Sequence, residues 1–152
     1  AYDKDQARVT LHDLPDVPGV AAAIFGPLSE KGVLVDMIVQ NTSLDGHTDM
    51  TFTISRKDLK QTLAIMEEVK ERTGATDVAS DVNVAKVSAI GVGMRNHSGV
   101  AARAFSALTQ EGINILMIST SEIKITILIQ EKYVELAVRI LHDTFGLDWD
   151  IN

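Results

Sequence analysis

The chain contains one pattern twice, and that duplication constrains its fold more than any other feature. Residues 19–38 (GVAAAIFGPLSEKGVLVDMI) align without a gap on residues 99–118 (GVAARAFSALTQEGINILMI) at an offset of 80, with nine of the twenty positions identical. The pairs are Gly19/Gly99, Val20/Val100, Ala21/Ala101, Ala22/Ala102, Phe25/Phe105, Leu28/Leu108, Gly32/Gly112, Met37/Met117 and Ile38/Ile118. The match resumes at an offset of 75, where Leu59, Leu63, Ile65 and Met66 fall opposite Val134, Val138, Ile140 and Leu141, so the second copy is five residues shorter between its anchors. The shortening falls in a hairpin turn. Copy one carries Asp45-Gly46, where glycine accepts positive φ, whereas copy two passes through Ser119-Thr120-Ser121-Glu122. A repeat of this length duplicates a whole folding unit.

Each copy reads as strand, helix, strand, strand, helix, strand. Val9 and Leu11 alternate with Arg8, Thr10 and His12, a half-buried strand, and Val20, Ile24 and Leu28 recur every four residues, a helix stopped by Gly32. Residues 34–40 are an almost continuous apolar run; Met50, Phe52 and Ile54 then alternate with Thr51 and Thr53. Leu59, Leu63, Met66 and Val69 make a second amphipathic helix ended by Gly74, and residues 78–83 make the fourth strand. Copy two repeats this order over residues 86–91, 100–111, 113–119, 123–129 and 134–145, with Gly146 just past its last helix. The class is therefore α+β: two ferredoxin-like βαββαβ domains in tandem, residues 1–82 and 83–152, each with its helices on one face of an antiparallel sheet. Residues 147–152 are few and acidic for a last strand, so copy two is expected to borrow one, for which the N-terminal segment is a candidate. Phe25/Phe105 and Met37/Met117, repeated on apolar faces, are expected in the cores.

Composition excludes several function classes. Lys and Arg total 14 against 21 Asp and Glu, and the net charge of −7 repels nucleic acid and anionic membrane surfaces. With no Cys there is no disulfide, thiolate metal site or Cys nucleophile, which fits a reducing compartment and makes the cytoplasm the default. No apolar run approaches the ~18 residues that span a bilayer, and the first residues lack the basic and apolar regions of a signal peptide. The chain opens on Ala1, which leaves a natural subunit and a piece of a longer protein both open. His12, His47, His97 and His142 are scattered without ligand spacing; no triad, Walker loop or paired carboxylates emerge, so no catalytic residue, cofactor or metal is expected.

The loop 13–19 is the place where chemistry can sit. Asp16 stands beside a helix N-terminus whose first N–H groups lack intrahelical partners and suit an α-carboxylate, while Asp16 suits an α-ammonium. A handful of charge-assisted hydrogen bonds supports binding of a free amino acid near ~0.1 mM, about −5.5 kcal/mol. Ordinary capping and turn chemistry accounts for Asp16, Pro18 and Gly19 equally well on residue type alone. The same place in copy two reads Met94-Arg95-Asn96-His97-Ser98-Gly99, without Pro or the equivalent Asp, so the two loops cannot bind identically. Ser98 suits a helix cap there, and Arg95 would suit a phosphate as in small acylphosphatases. Gln40, Asn41, Asn114 and the residues 119–122 place polar groups at the rims of the sheets.

Pro18-Gly19-Val20-Ala21, the run 35–41 (VDMIVQN) and the turn 118–123 (ISTSEI) resemble the tandem ACT domains of the regulatory region, or β subunit, of aspartokinase, and the resemblance covers nearly the whole chain. It implies a chain that is not itself a catalyst. Its role would be allosteric feedback control, by threonine and/or lysine, of aspartate phosphorylation, the first step toward lysine, threonine and methionine. It also implies a homodimer through the ACT domains and a partner in the aspartokinase catalytic domain or α subunit. By the resemblance, the effector sits where the first domain of one chain meets the second of the other, held by Asp16, Pro18, Gly19, Val20, Ala21 and Gln40 and closed by Asn114 and Ile115. A second site would use Met94, Ser98, Val100, Thr120, Ser121 and Glu122. Leu116 stands where lysine-sensing members can carry Asp and Ala101 where others carry Thr, which makes threonine at the first site the better expectation. An ACT-type sensor of another amino-acid pathway and a ligand-free dimerisation module remain as alternatives.

Overall fold

A computed structural model describes residues 2–90, 97–121, 124–145 and 150–151. In chain order its elements are β1 (Tyr2–Asp3), β2 (Ala7–Pro15), α1 (Val20–Glu30), β3 (Ile38–Thr42), β4 (His47–Ile54), α2 (Leu59–Thr73), β5 (Asp77–Asp81), β6 (Val84–Ile90), α3 (His97–Gln110), β7 (Ile115–Thr120), β8 (Lys124–Gln130), α4 (Val134–Phe145) and β9 (Asp150–Ile151). A single 3-10 turn precedes α2 and another precedes α4. The chain divides into two compact units, one of residues 5–82 and the other of residues 1–4 with 83–152.

In the first unit the sheet order is β3-β4-β2-β5, all antiparallel, the ferredoxin-like arrangement. Alternation selects the face: Ala7, Val9 and Leu11 of β2 and Met50, Phe52 and Ile54 of β4 are buried against Val20, Ile24 and Leu28 of α1 and Met66 and Val69 of α2. The Phe25 and Phe52 rings meet edge to face with centroids 5.4 Å apart. Gly74 ends α2 in the left-handed region at φ 81, its N–H returning to the Lys70 carbonyl at 2.9 Å, a turn that a residue with a Cβ adopts only under strain. The 34–40 run divides in the structure: Val33 and Met37 are buried, Leu34 is exposed, and β3 begins only at Ile38. Residues 36–37 still lie along β4, since the Asp36 N–H donates to the Thr53 carbonyl and the Thr53 N–H to the Met37 carbonyl.

The second unit repeats the plan. β6 pairs β8 and β8 pairs β7, while α3 and α4 contribute Ala104, Leu108, Ala137 and Leu141 to a core with Ala85, Val87, Ile125, Ile127 and Ile129. Met117 is buried, as Met37 is, and Phe105 packs partly buried on this core. The free flank of β6 receives two short strands: β1 through Tyr2↔Val87 and Asp3↔Lys86, and β9 through Ala89↔Ile151 and Ile90↔Asp150. The fourth-strand position is thus shared by segments from the two ends of the sequence. α3 spans His97–Gln110, so the described helix already includes Ser98, three residues before the repeat alignment places its start at Val100. In copy one Gly19 sits at φ 94 and Pro18 disfavours helical geometry at Val17, which stops α1 from extending backward; copy two has neither constraint at His97-Ser98.

Candidate functional site

The first unit carries most of its candidate residues where β2 passes into α1. β2 leaves the sheet through a bulge at His12–Asp13 and re-registers with Leu14 opposite Thr48 and Pro15 opposite His47. The Asp16 N–H then donates to the Gly46 carbonyl at 2.9 Å, fastening the loop to the tip of the β3–β4 hairpin. A short turn (Val20 N–H to the Val17 carbonyl, 3.3 Å) leads into α1. Gly19 is its N-cap with no side-chain cap, which leaves the amides of Ala21 and Ala22 without an acceptor among the described residues. Asp16, Pro18, Gly19 and Ala21 are exposed and Val20 is buried, while a Cβ built on Gly19 would meet nothing within 4 Å. The helix therefore begins with bare N–H groups facing open space, one acid close by in sequence, and no acidic residue in its own first turn to satisfy the dipole.

Gln40 lies on β3 of the same unit. It pairs with Met50, and Thr42 with Thr48, the residue that Leu14 also faces across β4. Paired residues share a face, so Gln40 lies on the helix-bearing side with Met50, and it is exposed at the rim. The hairpin beyond it closes on Asp45, whose carboxylate accepts from the Ser43 hydroxyl and, at 3.1 Å, from the His47 N–H; the Ser43 hydroxyl first and that amide second hold its carboxyl below the ordinary range. Gly46 turns the tip at φ 84.

In the second unit, Asn114 is exposed just before β7, and Ile115 opens that strand opposite Ile129 with a bulge directly after it. Thr120 ends β7 and Ser121, also exposed, donates its N–H to the Lys124 carbonyl at 2.8 Å. Ser98 and Val100 lie in the first turn of α3. Met94, Arg95 and Glu122 fall outside the described residues. In the first unit Asp16, Pro18, Gly19, Val20 and Ala21 thus lie on one loop and helix start and Gln40 lies on β3, while Thr120 and Ser121 lie at the end of one strand in the other unit. Sequence reading passed over Asp49, which sits opposite the bulge. Its signal was available in the spacing of Leu11 and Leu14, three apart where strict alternation demands two.

ACT-domain family models match residues 8–72 and residues 87–145. Aspartokinase of Pseudomonas aeruginosa is 53% identical over 148 residues, which are 97% of this chain and 36% of that protein, so the chain spans about a third of the length of the curated relatives it matches. Among solved structures, the aspartokinase alpha and beta subunits are 53% identical with a TM-score of 0.91, covering 97% of both chains. The ligand-free regulatory subunit of aspartate kinase from Thermus thermophilus is 37% identical with a TM-score of 0.90, covering 96% of both. Aspartokinase III of E. coli in complex with lysine and aspartate, in its T-state, is 26% identical over 94% of this chain and 31% of that one, with a TM-score of 0.69. Two ACT-domain matches on two ferredoxin-like units, with near-complete mutual coverage of a regulatory subunit, place this chain in the aspartokinase family as its regulatory, two-ACT-domain part.

Proposed function

We propose that this chain is the amino-acid sensor of an aspartokinase, binding threonine at the start of α1 in the first unit, and that a partner catalytic domain or α subunit reads the bound state as feedback inhibition. The observation that carries the reading is the uncapped α1 N-terminus: bare amides at Ala21 and Ala22, open space at Gly19, and Asp16 in the loop that leads into it. The amides suit the α-carboxylate, Asp16 the α-ammonium, and Gln40 a side-chain hydroxyl.

Two copies of the chain complete the site in this reading. β3 and β7 are the outermost strands of their sheets and carry the repeat-related Ile38 and Ile118, about half exposed at 53% and 46%. An outer strand with apolar side chains is a template for pairing with another chain. Joining β3 of one protomer to β7 of its partner brings Asn114 and Ile115 toward Gln40 and closes the threonine site. The same assembly gives a second site from Met94, Ser98, Val100, Thr120, Ser121 and Glu122. Lysine is the second effector to consider, because the E. coli relative was solved with lysine. Binding that differs between two domain orientations by about 1 to 3 kcal/mol suffices for such control. The proposed setting is the cytoplasm; no helix among the described residues is long and apolar enough to cross a membrane.

A thermal-melt panel of the common amino acids tests the reading. Threonine at about 100 times a Kd near ~0.1 mM adds about 2.7 kcal/mol by mass action, a rise of roughly 5 to 10 °C for a chain of this size. A shift by an unrelated amino acid alone assigns the chain to another pathway, and no shift by any leaves a dimerisation module.

A further inference from the structure

We propose that Asp49 is a positioning residue of the amino-acid site, its one carboxylate gripping both residues of the β2 bulge and so setting the path of the loop 13–19; the inference rests on the reading of that loop as the effector site. His12 and Asp13 together stand opposite Asp49 alone, between the pairs Leu11↔Met50 and Leu14↔Thr48. The Asp13 N–H donates to Asp49 Oδ1 at 2.9 Å, and His12 Nδ1 lies 3.6 Å from Asp49 Oδ2. Asp13 holds φ 57, a left-handed conformation that Asp adopts more readily than other residues with a Cβ and that its hydrogen bonds help to hold. A second tie comes from the segment after α2: the Thr76 hydroxyl donates to Asp13 Oδ2 at 3.0 Å, and the Thr76 N–H to the His12 carbonyl at 3.0 Å. The bulged pair is therefore held from β4 on one side and from residue 76 on the other.

The extra residue decides which way the loop leaves the sheet. Leu11 and Leu14 are both fully buried although three apart, which an unbulged strand cannot arrange. Without the bulge Asp13 would face the core, Leu14 would face out, and Asp16 would slide away from the Gly46 carbonyl that fixes it. β6 pairs β8 from Val84 to Ile90 with no such shift, so among the described residues the device belongs to the first unit's β2. Asp49 would act on the ligand only through this geometry and would not touch it.

The test measures threonine affinity by calorimetry on the full chain, with amide exchange at Asp13, in the wild type, Asp16→Ala, Asp49→Ala and Asp49→Asn. Asp49→Ala is expected to weaken threonine by about tenfold and to speed Asp13 exchange, since its acceptor is gone. Asp49→Asn keeps an oxygen for the Asp13 N–H and changes only the exposed side that faces His12, so its affinity should stay within about threefold. Should Asp49→Ala fail to fold, Thr76→Val removes the hydroxyl bond to Asp13 while keeping the N–H bond to His12, and is expected to cost about threefold. Wild-type affinity in Asp49→Ala or Thr76→Val, while Asp16→Ala loses binding, overturns the role of Asp49 and leaves the site standing. A wild type that binds no amino acid overturns both.

Discussion

The two units share one plan and fill it differently. Where the first core has Ile24, Phe52 and Met66, the second has Ala104, Ile127 and Leu141 at the repeat-related positions, and Ala89 faces Ile125 across the sheet where Leu11 faces Met50. Ala89, Ala104, Ile127 and Leu141 line, with Val87, Leu108 and Ile125, an apolar cavity of about 10 Å3. Its lining is apolar and offers a water no hydrogen-bond partner. The two units thus keep the same alternation, which specifies the fold, with different side chains in the core. Each unit ties the turn before its second helix to the segment before its first long strand. In the first, the Asp5 carboxylate accepts from the Ser55 hydroxyl and the Arg56 N–H; in the second, the main-chain carbonyl of Asn83 accepts from the Glu131 N–H at 2.9 Å.

The largest expected effect breaks the better-filled core. Phe52→Ala should cost about 3 to 5 kcal/mol in denaturant unfolding, through lost burial, the cavity left behind and the missing Phe25 contact. A greater loss from Ile127→Ala would refute the contrast in packing. Adding volume should separate the units further: Ile24→Phe overpacks the first core at about 1 to 3 kcal/mol, whereas Ala104→Val enters the cavity and is expected to be neutral or to stabilise by up to about 1 kcal/mol. Equal penalties at the two positions would mean that the second core has no usable space.

Most of the architecture was legible because alternation, four-residue spacing and glycine stops are local signals, and the repeat supplied each of them twice. What stayed hidden depends on partners distant in sequence. The bulge at Asp13 needs Asp49 and Thr76, 36 and 63 residues away. The shared fourth strand needs segments from both ends of the sequence to meet on β6. The early start of α3 shows that identity between copies does not carry helix boundaries when the capping residues differ. For the site, the uncapped α1 and its neighbour Asp16 could be read from Pro18-Gly19, whereas the placement of Gln40 followed only from strand register.

Smaller effects sharpen the comparison. Thr62 is fully buried with no partner for its hydroxyl, and its counterpart in the second unit is Ala137. Thr62→Val should therefore gain about 0.5 to 1 kcal/mol in thermal melts, and a loss would reveal an acceptor for the hydroxyl. The smallest effect is pH-dependent. The Ser55 hydroxyl and then the Arg56 amide hold the Asp5 carboxyl below its ordinary range. A depressed carboxyl contributes stability that is present above about pH 4 and lost as pH falls through the lower folded value. Asp5→Asn should flatten that acid limb of the stability curve.

Calorimetric titration of threonine into the wild type, Asp16→Ala and Thr120→Ala tests most directly whether amino-acid sensing resides in the first unit's α1 corner. Binding near ~0.1 mM that weakens about tenfold in Asp16→Ala and stays unchanged in Thr120→Ala is the predicted result. Equal affinity in the wild type and Asp16→Ala would contradict it.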